Sequence, residues 1–173
     1  ENINKLPIVS LVSDPNLLFG DELGLLVAGT NGSEVPSGCS GPDKKANYWN
    51  DWDRPCNFEF FDNKKVEQLN QEVKIGNFGA CSRTKYIKSI KINAGKVYGD
   101  NELDYPIFEE KPNLRWKSIV LRNSGNDFGR SYLRDGFMQT LLIGQVDIDH
   151  QAYQPSMVFI NGEFYGMLNI RER

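Results

Sequence analysis

Apolar residues in this chain recur at every second position within short runs, and the runs are separated by Gly, Pro, Asn and Asp. That pattern reads as a succession of β-strands and turns. Ile8 to Ser13 (IVSLVS) is the first run, stopped by the turn-starting pair Asp14-Pro15. Leu17 to Leu23 reads as loop or a short helical turn, and Leu25 to Ala28 as a second short strand. Cys56 to Phe61 alternates, with Phe58 and Phe60 on one face. Glu72 to Phe78 follows, its Gly76 and the nearby Gly79 marking a bend or a close backbone approach. Lys88 to Asn93 alternates cleanly, and Ser118 to Arg122 has a continuous apolar centre. Met157 to Ile170 reads as a β-hairpin around Asn161-Gly162, a pair that tolerates the positive φ of a type I′ turn.

One segment changes period. From Ser131 to Ile143, Leu133, Phe137 and Leu141 repeat at i, i+4 and i+8, and Met138 and Leu142 widen the stripe. Gly144 is the expected stop, and Gly136 inside the helix implies close packing there. Pairing across the hairpin turn is expected to put Met157, Phe159, Phe164, Leu168 and Ile170 on one face, apolar enough to cover the helix. Val158, Ile160, Glu163, Tyr165 and Met167 would share the other, mixed face. The expected fold class is α+β: a strand-rich mixed or antiparallel sheet, one main packed helix and a C-terminal hairpin. Residues 1–173 read as a single domain or the N-terminal part of a larger one, with a long polar loop at 29–53.

Composition narrows the function classes. The net charge is −3 and Lys and Arg never form a run, so nothing recruits nucleic acid. No stretch approaches 18 apolar residues, so no membrane span is expected. Cys39, Cys56 and Cys81 form no CxxC pair, and His150 is the single histidine, which argues against structural zinc. A Cys39–Cys56 disulfide in an exported protein and three free thiols both remain open.

Five segments in order resemble the CotH kinase family, whose founding members are spore-coat proteins. They are LPIVSLVSDPNLLFGDELGLLVAG from Leu6, RPCNFEFFD from Arg54, and KIGNFGACSRTKYIKSIKI from Lys74. LRNSGND from Leu121 with RDGFMQTL from Arg134, and VFINGEFYGMLNIRER from Val158, complete the set. The resemblance implies an atypical secretory kinase that transfers phosphate from ATP, with Mg²⁺, to protein serine. It implies a secreted or cell-surface location and a sheet like an atypical kinase N-lobe, with Lys88 on its lysine-bearing strand. The helix would be the counterpart of the kinase helix that pairs with that strand. The Mg²⁺-holding and hydroxyl-activating residues would lie beyond Arg173. The rest of its own domain would then be a partner, and the present segment would be inactive alone.

Phosphoryl transfer needs cations on the phosphates. Lys88 shares a strand face with Ile90 and Ile92, which suits a phosphate lysine or one that snorkels to water; Lys91, pointing the other way, is the second candidate. Arg83 follows the turn Gly79-Ala80-Cys81-Ser82 and is a candidate phosphate contact or an ordinary turn residue. Asp135 either pairs with the strand lysine or sits exposed near the helix start beside Arg134. Asn123 and Asp127 read as turn formers or caps, and Glu172 as a residue facing the hinge. Asp147, Asp149 and His150 are too few for catalytic zinc. Trp49 and Trp52 among Asn and Asp suit either a sugar-stacking surface or burial. The rival to the kinase reading is therefore a non-catalytic binding or structural module, with glycan as one ligand.

Overall fold

The computed structural model describes residues 5–30, 32, 45–111 and 115–173. The alternating segments become β1 (Ile8–Val12), β2 (Arg54–Phe61), β3 (Glu67–Phe78) and β4 (Ser89–Asn93). They continue as β5 (Leu103–Asp104), β6 (Arg115–Trp116), β7 (Ser118–Arg122), β8 (Tyr153–Ile160) and β9 (Glu163–Glu172). Seven of these close into a barrel in the order β1-β2-β3-β4-β7-β9-β8, while β5 and β6 form a separate ribbon. Neighbours are antiparallel except for β1 and β8, whose parallel pairing of Ile8 with Met157 through Leu11 with Ile160 seals the wall.

The closed barrel corrects the expected architecture, which was a kinase-N-lobe-like sheet covered by a packed helix. The inward side chains Val9, Leu11, Phe58, Phe60, Val73, Ile75, Ile90, Ile92, Ile119, Leu121, Val158, Ile160, Leu168 and Ile170 are all buried and bury one another. Each such residue is worth about 1.5–3 kcal/mol of transfer free energy, so the sheet satisfies its apolar face by curling on itself. The helix Arg134–Thr140 does not cover this core, whereas the short helix Pro15–Phe19 adds the fully buried Leu18 to it. Two α-helices stand among the described residues: α1 (Pro15–Phe19) and α2 (Arg134–Thr140). Leu133, Phe137, Met138 and Leu141, the predicted stripe, are exposed, and within α2 only Gly136 is buried. A Cβ on Gly136 would stand 2.4 Å from the Tyr153 ring, so the close packing inferred there is real.

Two further expectations change. Leu25 to Ala28 is not a strand: Leu25 and Leu26 donate backbone N–H groups to Leu17 and Leu18, and both side chains enter the core from a turn. The hairpin has the expected turn, with φ of 50° at Asn161 and 84° at Gly162. Its faces differ because the register slips between Val158, paired with Gly166, and Phe159, paired with Phe164. The slip leaves Tyr165 as the extra residue of a bulge. Leu168 and Ile170 are thereby buried along with Val158 and Ile160, while Phe164 and Met167 are exposed.

Cys56 is a free, buried thiol, which excludes the Cys39–Cys56 pairing, and Cys81 is disulfide-bonded. Cys39 lies outside the described residues, as does the polar stretch over 33–44. No described helix is long and apolar enough to cross a membrane.

Candidate functional site

At one mouth of the barrel, β3 ends at Phe78, β4 begins at Ser89 and β7 ends at Arg122. Two segments connect there, and the second of them, from Asn123, is rich in Gly, Ser and Asn, residues that turn tightly and bond to backbone. One is Gly79 to Lys88, containing the 3₁₀ turn Cys81–Thr84; the other runs from Asn123 to α2 and contains the 3₁₀ turn Gly125–Asp127. Gly79 and Gly125 have φ of +96° and +57°. A cavity of about 300 Å³ lies between the two segments, lined among others by Gly79, Ser82, Ser89, Arg122, Asn123 and Gly125.

Asn123 builds this mouth. Its amide nitrogen donates to Ile87 O at 2.7 Å and Ser82 O at 3.3 Å. Its Oδ1 accepts from Ser89 Oγ at 2.9 Å and from the Gly125 N–H at 3.0 Å. Asp127 organises the second segment by accepting from Ser131 Oγ at 2.6 Å and from the Arg134 N–H at the start of α2 at 3.3 Å. The Ser131 hydroxyl is the main reason its carboxyl sits below the usual range. Both residues thus act as the turn formers and caps anticipated.

The mouth is electropositive within an acidic chain. Residues 79–88 carry Arg83, Lys85 and Lys88; residues 122–135 carry Arg122, Arg130 and Arg134 against Asp127 and Asp135. With Asp51, which pairs with Arg83, six cations face three carboxylates, a local surplus where the whole chain has −3.

The four residues singled out from sequence do not converge. Arg83 ties its own loop to the segment before β2: Nε donates to Gly79 O at 2.7 Å, Nη1 to Trp49 O at 3.1 Å and Nη2 to Asp51 at 3.0 Å. Lys88 is 5% exposed; its Nζ donates to Lys85 O at 2.8 Å and lies 4.5 Å over the Tyr48 ring. Burial lowers its pKa to about 8. Lys91 stands on the outer wall and pairs with Asp53 at 3.1 Å, alongside Lys74 at 2.9 Å. Burial pushes the Asp53 carboxyl up, but hydrogen bonds from the two lysines outweigh it and hold it below its ordinary value.

Asp135 departs from the expected strand-lysine partner. Among the described residues it pairs with Arg122 Nε at 3.2 Å and Arg171 Nη1 at 3.0 Å, both on Oδ2. Sequence reading passed over these two arginines. The available signal was Arg122 at a strand end followed by Asn-Ser-Gly-Asn, a small, polar, glycine-bearing run; residues 79–82 are likewise small and contain a glycine.

The remaining candidates have other partners. Glu172 accepts from the Ala152 N–H and pairs with Lys111, which also holds Asp149 at 2.9 Å. Trp52 packs on the core with the Arg54 guanidinium 4.5 Å over its ring, so it presents no bare face to a sugar. No cluster of three His, Cys, Asp or Glu able to hold a metal occurs among the described residues.

A family model described as CotH kinase protein matches residues 75–173, more than half of the chain. The match takes in both connecting segments, Arg122, Asp135 and Arg171, and leaves out β1, β2 and the tryptophan-bearing loop. No curated protein matches the chain.

Proposed function

The chain belongs to the CotH kinase family, and from that premise we propose that it is the nucleotide-holding part of a kinase transferring phosphate from ATP to protein serine. The observation that supports this reading is the cavity of about 300 Å³ in an electropositive barrel mouth, inside the residues the family model matches. An arginine and small polar side chains around such a cavity suit phosphate oxygens, which take charge-assisted hydrogen bonds. Arg122 is the cation lining it. Arg83 and Lys88 serve this site by ordering its loop rather than by touching the ligand, and Asp135 pairs with Arg122 beside it.

No Mg²⁺ ligands are assigned here, since no group of three His, Cys, Asp or Glu that could hold a metal occurs among the described residues. No transfer step is therefore assigned to them; what they supply is binding and orientation. A secreted or cell-surface location is supported by the disulfide at Cys81, since such bonds persist in oxidising compartments.

Calorimetric titration with ATP tests the reading. Saturable binding is expected, weakened about tenfold or more by Arg122→Gln, the cost of a charged hydrogen bond. Absence of binding at millimolar ATP by folded protein, or binding indifferent to Arg122, would overturn it.

A further inference from the structure

Arg122 on β7 and Arg171 on β9 converge on a single oxygen of Asp135. Two guanidinium groups with one carboxylate between them leave a positive charge in surplus, and the two arginines are not held alike. Arg171 is 2% exposed at its side chain. Its Nη1 donates a hydrogen bond to Asp135 and its Nη2 one of 2.8 Å to Gln151 Oε1, and the guanidinium lies 5.7 Å from the Tyr153 ring centre. Arg122 is about a third exposed at its side chain. Its Nε is within ion-pair distance of Asp135 but makes no hydrogen bond. Its Nη2 reaches to 3.4 Å from where a Cβ on Gly125 would stand, at the cavity rim.

We propose that Asp135 is an internal counter-ion which a ligand's phosphate group displaces from Arg122, while Arg171 keeps it. This rests on the nucleotide reading above and gives the phosphate end of that site a residue-level form. The guanidinium edge offers paired N–H donors that match a phosphate better than the single misaligned contact to Asp135. Entry of the phosphate transfers Arg122 from one anion to another, so no uncompensated charge is buried at any stage. Asp135 then competes with the ligand instead of assisting it, the opposite of a helix acid that orients a phosphate-binding lysine.

The test is titration with inorganic pyrophosphate in metal-free buffer, with urea unfolding of each variant alongside. Asp135→Asn is expected to bind about three- to fivefold more tightly than the parent, the scale of a partly exposed ion pair. Asn retains an oxygen for Arg171. Arg122→Gln is expected to weaken binding about tenfold. Weaker binding by folded Asp135→Asn would overturn the counter-ion role while leaving the nucleotide site standing. No binding of pyrophosphate or ATP by the parent would remove the nucleotide reading and this proposal with it. Should Asp135→Asn not fold, arginine side-chain NMR of the parent decides. Pyrophosphate is expected to shift the Arg122 Nε–H signal and leave that of Arg171 in place; the reverse would overturn the proposal.

Discussion

Ser89 and Asn123 hold each other by a reciprocal pair of hydrogen bonds. Ser89 Oγ donates to Asn123 Oδ1 at 2.9 Å and accepts from the Asn123 N–H at 2.9 Å. Both residues are about 1% exposed. The pair pins the start of β4 to the segment after β7 and so fixes the width of the cavity mouth. Asn123→Ala leaves Ser89 Oγ, Ile87 O and the Gly125 N–H short of a partner. A loss of about 2–4 kcal/mol in urea unfolding is expected, together with loss of ATP binding. A change below about 0.5 kcal/mol would show that the mouth is held by other contacts.

Lys88 makes stability depend on pH in the alkaline range. Its folded pKa of about 8 lies below that of the unfolded chain. Between those values the unfolded state binds the proton and the folded state does not, so stability rises as pH rises through that window. Below about pH 8 both states are protonated and Lys88 adds no slope. Urea midpoints at pH 7 and 10, compared between the parent and Lys88→Met, isolate its share. The parent is expected to gain on the order of 1–3 kcal/mol relative to the variant. Equal pH dependence would show that Lys88 stays fully protonated in the fold.

Gly136→Ala should reverse the usual sign. In an open helix the change is worth about 1 kcal/mol of added stability. Here the new methyl would meet the Tyr153 ring at 2.4 Å. A loss of about 1–3 kcal/mol is expected by thermal or urea unfolding. A gain would mean that α2 does not rest on Tyr153.

Lys91→Met should leave nucleotide binding unchanged. The Lys91 ammonium is tied to Asp53 on the outer wall, where Lys74 remains as a second partner for the carboxylate. Stability is expected to move by less than about 1 kcal/mol. Calorimetry with ATP checks the first point, and a fall in affinity comparable with that of Arg122→Gln would place the phosphates on the wrong side of β4.

Strand existence was legible because period-two alternation is a local property. β4, β7 and the final hairpin lie within a few residues of their expected bounds. Closure was not legible, since it depends on β1 meeting β8, a contact no local pattern encodes. The stripe on α2 shows a related limit: periodicity states which side chains point together, not whether anything covers them. Tyr165 shows another. One bulged residue turns every later side chain of β9 to the opposite face, and nothing in its neighbours announces the slip. The site divided similarly. Asn123 and Asp127 behave as their residue types dictate, whereas Asp135 found arginines instead of a lysine because strand order put β7 beside β9.

The parallel seam also bears on assembly. Ser13 donates its N–H to Asn161 Oδ1 across 148 residues of chain. At a synthesis rate of roughly 5–20 residues per second, β1 waits on the order of ten seconds or more for β8 to emerge. Through that interval one edge of β1 has no partner, and unpaired edges invite pairing with other chains. Contacts of such sequence separation also slow the folding reaction itself, toward milliseconds to seconds. Pairing of β1 with β8 is therefore a late step in completing the barrel, and a holdase that shields Ile8–Val12 should raise the yield of folded protein.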